Sequence, residues 1–181
     1  MKIEAKPAPP EEAYIIKNLY PLYLHDLSGH YGLTNGPVLN PHGIFEESNE
    51  IRTLADQYNV QSIWWEKPGC LHPFLIRAGG NPAGFAFVAT PPHCNAGVDY
   101  FVNEFFVLQP YRGLGYAQQA AVQIFERFKG RWELFTNPAE KNAAGQKFWR
   151  KTVSGYTKGN YAEKLGTTYN GEMLIFSFDN A

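Results

Sequence analysis

The chain has 181 residues, a formal net charge of −1, and 44% hydrophobic and 18% charged residues. This length suits one domain with a sizeable core, so we expect a single domain over residues 1–181. The near-neutral charge argues against a nucleic-acid-binding surface, which normally carries an excess of basic residues. No apolar run approaches the roughly 18 residues of a membrane-spanning helix, and the first residues lack a hydrophobic signal core. We therefore expect a cytoplasmic protein with no membrane contact, in which two free thiols are favoured over a disulfide.

The first third of the chain is predicted to hold one strand and two helices. Residues 2–6 are a short strand candidate. Residues 11–30 carry apolar side chains at helical spacing, which predicts a helix interrupted near Pro21. Residues 31–43, rich in Gly, Asn and Pro, indicate a loop, and residues 48–59 predict a second helix.

The later elements follow the same kind of signals. Leu71–Ala78 and residues 83–90 predict a hairpin around a Gly-Gly-Asn-Pro turn. Beyond the central stretch, described next, Arg131–Thr136 predicts a parallel strand and residues 139–151 a helix. Residues 156–165 and 172–178 predict a last hairpin, because Asn-Gly at 170–171 is a strong turn signal. Residues 60–70 give no clear pattern.

The central stretch, residues 98–128, is the most informative. Its apolar first part predicts a buried strand over residues 98–108, and the apolar spacing after residue 116 predicts an amphipathic helix. Gly113 and Gly115 lie between the two, where they permit positive φ and close approach of a ligand to the backbone. The first turn of a helix presents unpaired N–H groups and partial positive charge. The arrangement therefore indicates a binding site for an anion such as pyrophosphate, with Arg112 beside it.

Two familiar phosphate-binding loops do not fit this turn. The dinucleotide fingerprint G-x-G-x-x-G needs a third glycine where the chain has Gln118. A P-loop needs Lys followed by Ser or Thr after a suitable glycine pair, and the sequence has none.

The turn does resemble the acetyl-CoA signature of the GNAT N-acetyltransferases, Q/R-x-x-G-x-G/A. Arg112, Gly115 and Ala117 fill its three specified positions. The predicted order of elements is also that of the GNAT fold, and Gly84 stands where the third strand of that fold usually has a glycine. The resemblance implies a mixed α/β fold, with a central sheet of about seven strands, about four flanking helices and splayed central strands.

The resemblance also implies an activity: transfer of an acetyl group from acetyl-CoA to a primary amine, by direct attack in a ternary complex. In this family the pantetheine arm pairs with the central strand, the amide after that strand's Val polarises the thioester carbonyl, and the pyrophosphate lies on the glycine turn. The implied cofactor-binding residues are Phe106, Val107, Leu108, Arg112, Gly113, Leu114, Gly115, Tyr116, Ala117, Gln118 and Asn142.

Glu104 is the candidate catalytic base. It is the only acidic residue within residues 100–108 of the apolar strand, so desolvation should raise its pKa. A carboxylate tuned in this way suits proton removal from an amine, directly or through water. The alternative is a solvent-facing or salt-bridged Glu.

The general acid is left unassigned. Relatives use a Tyr in the helix after the fifth strand, where this chain has Trp149, and an indole N–H cannot serve as an acid. Tyr111, Tyr116 and Tyr156 are possible substitutes, or the thiolate takes its proton from water. The spacings of the His and Cys residues do not match a metal site, so we expect no metal.

The acceptor is unidentified, either a small molecule or a peptide amine. Residues 25–42 include Asp26, His30, Tyr31 and Asn35, in the region where this family often builds its acceptor pocket. A non-catalytic acyl-CoA-binding or sensor domain on the same fold is the main alternative function. An unrelated nucleotide-binding α/β protein is a second, and either a monomer or a homodimer is compatible with the sequence.

Overall fold

The computed structural model describes the backbone of residues 1–181 and the side chains of residues 1–30 and 36–181. Its strands are β1 (Ile3–Pro7), β2 (Leu71–Ala78), β3 (Asn81–Ala89), β4 (Tyr100–Val107), β5 (Arg131–Thr136), β6 (Ala162–Thr168) and β7 (Gly171–Asp179). They form one seven-stranded sheet in the order β1-β2-β3-β4-β5-β7-β6. The pairing of β4 with β5 is parallel, and the other neighbours are antiparallel. The mixed sheet predicted from the sequence is confirmed.

Helices cover both faces of this sheet. They are α1 (Ala13–Asn35), α2 (Leu54–Val60), the one-turn α3 (Ile63–Glu66), α4 (Tyr116–Phe125) and α5 (Ala143–Thr157). Helices α1 and α3 pack on one face, and α4 and α5 pack on the other. Among the described residues, no helix combines the length and apolar character needed to cross a bilayer.

The many aromatic residues are divided between these two faces. On the α1 face, the Trp64 indole stacks on Phe87 with ring centroids 4.1 Å apart. On the other face, Trp132 packs edge-on against Phe125 at 5.0 Å. Such ring pairs bury large apolar areas, so most of the aromatic content stabilises the core.

The central strands separate partway along their length. Residues 100–102 of β4 pair with residues 132–134 of β5, whereas β4 continues to Val107. The predicted splay is therefore confirmed. On the other side of β4, Phe87 pairs with Glu104 and Val88 with Val102, which leaves Asn103 as a bulge.

Gly84 permits the close approach of β3 to β4. It lies opposite Val107, and a Cβ added to it would lie 2.0 Å from the carbonyl oxygen of Phe106. No side chain fits at that distance, so the backbone spacing requires glycine here.

Two boundaries in the first third differ from the sequence-based expectation. Helix α1 is not interrupted at Pro21 and continues to residue 35, because packing of Leu19 and Tyr20 against the sheet offsets the lost hydrogen bond. The expected loop therefore begins at residue 36, and the Tyr31 and Asn35 side chains lie outside the described residues. Helix α2 begins at residue 54 instead of 48, because Thr53 caps it in a capping box.

The last helix also differs. Helix α5 begins at residue 143 and runs six residues beyond the expected end, so it includes Gly155 and also Tyr156, where the sequence predicts the start of a strand. It ends where Lys158 and Gly159 adopt positive φ values of 54° and 88°. The final hairpin forms at the expected Asn-Gly turn.

Candidate active site

The gap between the splayed strands opens into a cleft of about 1420 Å³. Its walls are β4, β5, the turn before α4, the C-terminal part of α1, the N-terminal part of α5 and the β6–β7 turn. Of the predicted catalytic and cofactor-binding residues, it is lined by Glu104, Phe106, Val107, Arg112, Gly113, Gly115, Ala117, Gln118 and Asn142, and Asp26 and His30 of the predicted acceptor region also line it. Leu108, Leu114 and Tyr116 lie outside the lining.

The turn at residues 112–117 has the backbone form that its glycines suggested. Gly113 and Gly115 have φ values of +76° and +77°, a region that other residues rarely adopt. A Cβ added to either would meet nothing within 4 Å, so the space above the turn is open. Gly115 is the N-cap of α4, and no described side chain bonds to the cap. The N–H groups of the first helical turn therefore face an open site, as an anion needs.

The Arg112 side chain turns back into the fold. Its Nε donates to the Val107 carbonyl oxygen at 2.6 Å, and its Nη2 pairs with the Asp26 carboxylate. The guanidinium also lies 5.6 Å from the Phe106 ring centroid. Arg112 thus ties the end of β4 to α1, and its charge is neutralised by Asp26.

The open edge of β4 is identified by its backbone hydrogen bonds. The Leu108 N–H donates to the Ala83 carbonyl at 2.8 Å, so that amide faces β3 and is already engaged. Peptide groups alternate in direction along a strand, so the Val107 N–H and C=O face the cleft. The bond from Arg112 to the Val107 carbonyl agrees with this direction.

Glu104 lies on the α1 side of the cleft. Its Oε1 accepts a hydrogen bond from the Tyr20 hydroxyl at 2.9 Å. Its Oε2 is buried and has no hydrogen-bond partner among the described residues. Burial raises the pKa of Glu104 to about 8, and the bond from Tyr20 acts in the opposite direction.

Helix α5 supplies an aromatic wall. Phe105 packs against Phe148 and Trp149, with ring centroids 5.6 and 5.2 Å apart. The tyrosines suggested as substitute acids, at positions 111, 116 and 156, do not line the cleft. Tyr156 accepts instead from the Asn180 amide, and burial raises the pKa of its phenol.

Asn142 connects β5 to α5. Its Nδ2 donates to the Thr136 hydroxyl at 2.8 Å and to the Asn137 carbonyl at 2.7 Å. A Cβ on Gly145 would lie 2.4 Å from the Asn142 Oδ1, so a larger residue at this position would displace the Asn142 amide. The Asn142 side chain is thus held in one orientation at the cleft wall.

Several residues around the site were not predicted from the sequence. Tyr23 and Leu27 of α1 line the cleft, and the bulge directs Asn103 into it. The Tyr169 hydroxyl bonds to the Asn103 Oδ1 at 3.2 Å, which links the β6–β7 turn to β4. Nothing in the sequence pointed to Tyr20, because no local pattern shows which strand a helix face will contact. The described residues include no group of three His, Cys, Asp or Glu side chains that could hold a metal ion.

The chain was compared with known protein sequences and structures. Residues 42–154 match the sequence model of the acetyltransferase (GNAT) family. No curated protein matches the sequence at a significant level.

Solved structures match over nearly the whole chain. AAC(6')-Ib, in complex with ribostamycin and coenzyme A, has a TM-score of 0.62 and 13% identity, covering 99% of this chain and 94% of its own. The PaiA N-acetyltransferase of Thermoplasma acidophilum, in complex with coenzyme A, has a TM-score of 0.59 and 14% identity, with 99% of each chain covered. Spermidine N-acetyltransferase of Vibrio cholerae, bound to CoA and spermine, has a TM-score of 0.60 and 9% identity, covering 98% and 95%. Identities this low show a shared fold alone.

Proposed function

Because the chain belongs to the acetyltransferase (GNAT) family, we propose that it transfers acetyl from acetyl-CoA to a primary amine by direct attack. The observation that carries the proposal is the buried Glu104 carboxylate, whose Oε2 has no hydrogen-bond partner among the described residues and which lines the same cleft as the glycine turn. The protein would act as a single domain in the cytoplasm, where acetyl-CoA is made and used.

The cosubstrate would lie along the open edge of β4. The pyrophosphate would accept hydrogen bonds from backbone N–H groups of residues 113–118, supported by the positive end of α4. Since Asp26 neutralises Arg112, we assign Arg112 the role of holding the turn. Lys147 and Lys151 of α5 also line the cleft and would supply the positive charge near the phosphates. Asn142 would contact the cosubstrate at the same wall.

The Val107 N–H would polarise the thioester carbonyl. The family resemblance implied that the next amide, the Leu108 N–H, has this role. The Val107 N–H is the amide that faces the cleft, whereas the Leu108 N–H is engaged with β3. A fixed backbone donor stabilises the negative charge that develops on the carbonyl oxygen during attack.

Glu104 would manage the proton of the attacking amine. Its Oε2 accepts one proton from the ammonium, the amine nitrogen bonds to the carbonyl carbon, and the carbon–sulfur bond breaks. The nitrogen passes its second proton to water as the amide forms, and the thiolate takes a proton from water, since Trp149 has no acidic group, so these two transfers leave no net charge on the solvent. With a pKa of about 8, Glu104 becomes a base as the pH rises through that value, so kcat/KM should rise with pH over the same range.

The acceptor side favours an amine with an apolar or aromatic flank. Tyr23, Leu27 and Phe106 line it, and the cleft-lining carboxylates among the described residues are Asp26, Glu104 and Glu172. Asp26 is paired with Arg112, and by sequence residues 31–35 contain no acid. A polycationic acceptor needs several free carboxylates, so we expect a small monoamine to be preferred over a polyamine or an aminoglycoside.

The first experiment follows thermal unfolding while acetyl-CoA is titrated in, with ATP and NAD as controls. A ligand that binds only the native state stabilises it by about 2.7 kcal/mol at a hundredfold excess over Kd. Stabilisation by acetyl-CoA alone supports the cosubstrate assignment. No shift at millimolar acetyl-CoA would contradict it.

The second experiment separates an enzyme from a sensor domain. Arylalkylamines, spermidine and kanamycin are compared as acceptors by measuring release of free CoA thiol. In the Glu104→Gln variant, turnover should fall by about 10²–10⁴-fold while acetyl-CoA affinity is kept. An acyl-CoA-binding sensor would release no thiol with any amine, and the same substitution would leave its ligand binding intact.

A further inference from the structure

The contact between Tyr20 and Glu104 joins residues 84 positions apart in the chain. Tyr20 is a buried residue of α1, and its hydroxyl lies 2.9 Å from one oxygen of the carboxylate. The other oxygen, Oε2, is buried and unpartnered among the described residues. The two oxygens are therefore not equivalent, because Oε1 is hydrogen-bonded to Tyr20 and Oε2 remains available to accept a proton.

Packing of the Tyr20 ring fixes which oxygen of the Glu104 carboxylate the hydroxyl contacts. The ring packs against Phe85 at 5.9 Å, Phe87 at 6.4 Å and Tyr23 at 5.7 Å between ring centroids. The phenol hydrogen is directed at Glu104, because an ionised carboxylate can only accept a hydrogen bond.

We propose that Tyr20 is a positioning residue for proton transfer, whose hydroxyl occupies Oε1 of Glu104 and leaves Oε2 to receive the proton of the acceptor amine. This rests on the proposed role of Glu104 as base. Tyr20 itself touches neither substrate nor reacting atoms, because its hydroxyl is spent on the carboxylate.

The pKa of Glu104 can report on its contact with Tyr20. Among the described residues, burial and the Tyr20 hydrogen bond are the influences that shift the Glu104 pKa, and no charged side chain adds to them. Asp26, on the same helix, is paired with Arg112, and Glu46 acts on Tyr20, whose own pKa is raised by burial. A hydrogen bond donated to a carboxylate favours its charged form, so removing the donor must raise the Glu104 pKa.

The test is a Tyr20→Phe variant, which keeps the ring and removes one hydroxyl. The Glu104 carboxyl carbon is followed by NMR in the ¹³C-labelled free protein as the pH is raised, and Glu104→Gln identifies its signal. We expect a midpoint near pH 8 in the unmodified protein and a midpoint about one pH unit higher in the variant. Equal midpoints would overturn the proposal. The readout needs no turnover, so it stands apart from failure of the proposed activity.

Kinetics then show whether the contact serves catalysis. Below the pKa, a rise of one unit lowers the ionised fraction of the free enzyme tenfold, so kcat/KM of Tyr20→Phe should fall about tenfold at pH 7 and recover towards pH 10. A loss of equal size at every pH would mean a purely structural role and would contradict the proposal. Tyr14→Phe, the same change at an exposed position of α1, should alter neither profile. In the Glu104→Gln background, Tyr20→Phe should leave the pH profile unchanged.

Discussion

Replacing Glu104 by glutamine should change how the stability of the protein depends on pH. The variant keeps the size of the side chain and an oxygen that can accept from Tyr20, but it removes the titrating group. In the native state the Glu104 pKa is about 8, against an ordinary value of 4.5. Between these values the folded chain holds one proton that the unfolded chain has lost.

The sign and size of the effect follow from linkage. Because the native state binds more protons, the free energy of unfolding falls as pH rises, by about 1.4 kcal/mol per pH unit over this interval. About 3.5 units at 1.36 kcal/mol each set a ceiling of about 5 kcal/mol. Relaxation of the protein around the charge reduces the penalty, so we expect Glu104→Gln to be more stable than its parent by a few kcal/mol at pH 9, relative to their difference below pH 4.5.

Urea unfolding of both proteins at pH 4.5, 7 and 9 measures this difference directly. Other groups, such as His72, whose pKa burial lowers, titrate equally in both proteins and cancel. The matched control Glu50→Gln removes an exposed carboxylate, so its free energy of unfolding should stay close to that of the parent at every pH. Parallel pH profiles for Glu104→Gln and its parent would refute the burial of this carboxylate.

Substitutions at three further positions test the residues around the cleft. Gly84→Ala should cost about 3 kcal/mol or more in urea unfolding, because its Cβ would lie 2.0 Å from the Phe106 carbonyl oxygen. Gly115→Ala should cost only about 1–2 kcal/mol, since its φ of +77° is strained but the space is open. By calorimetry, the same variant should weaken acetyl-CoA binding several-fold. Arg112→Ala should raise the KM for acetyl-CoA by freeing the Val107 carbonyl, and Arg112→Lys should not restore it, because lysine lacks the guanidinium fork.

The strand–turn–helix unit at the centre could be predicted because its signals are local. Glycines that need positive φ and an apolar pattern that changes from strand to helix spacing act within a few residues. Glu104 was identified for the same reason, because an acidic residue flanked by apolar residues can be recognised from the sequence without knowledge of the fold.

Element boundaries were less predictable where packing overrides local preference. Pro21 signals an interruption, yet the helix passes through it because both sides pack on the sheet. Gly155 and Tyr156 resemble a turn and a strand start, yet the helix extends through both residues until Lys158 and Gly159 end it with positive φ.

The reactive geometry depends on contacts between distant parts of the chain. The sequence alone identified a carboxylate, a glycine turn and the family that combines them. The tertiary structure decided that Tyr20 engages one carboxylate oxygen, that Asp26 neutralises Arg112, and that the Val107 amide faces the cleft while the Leu108 amide faces β3. Each of these depends on which helix crosses which strand and in what register. Short-range periodicity carries no information about such pairings, because they are set by the packing of the whole sheet.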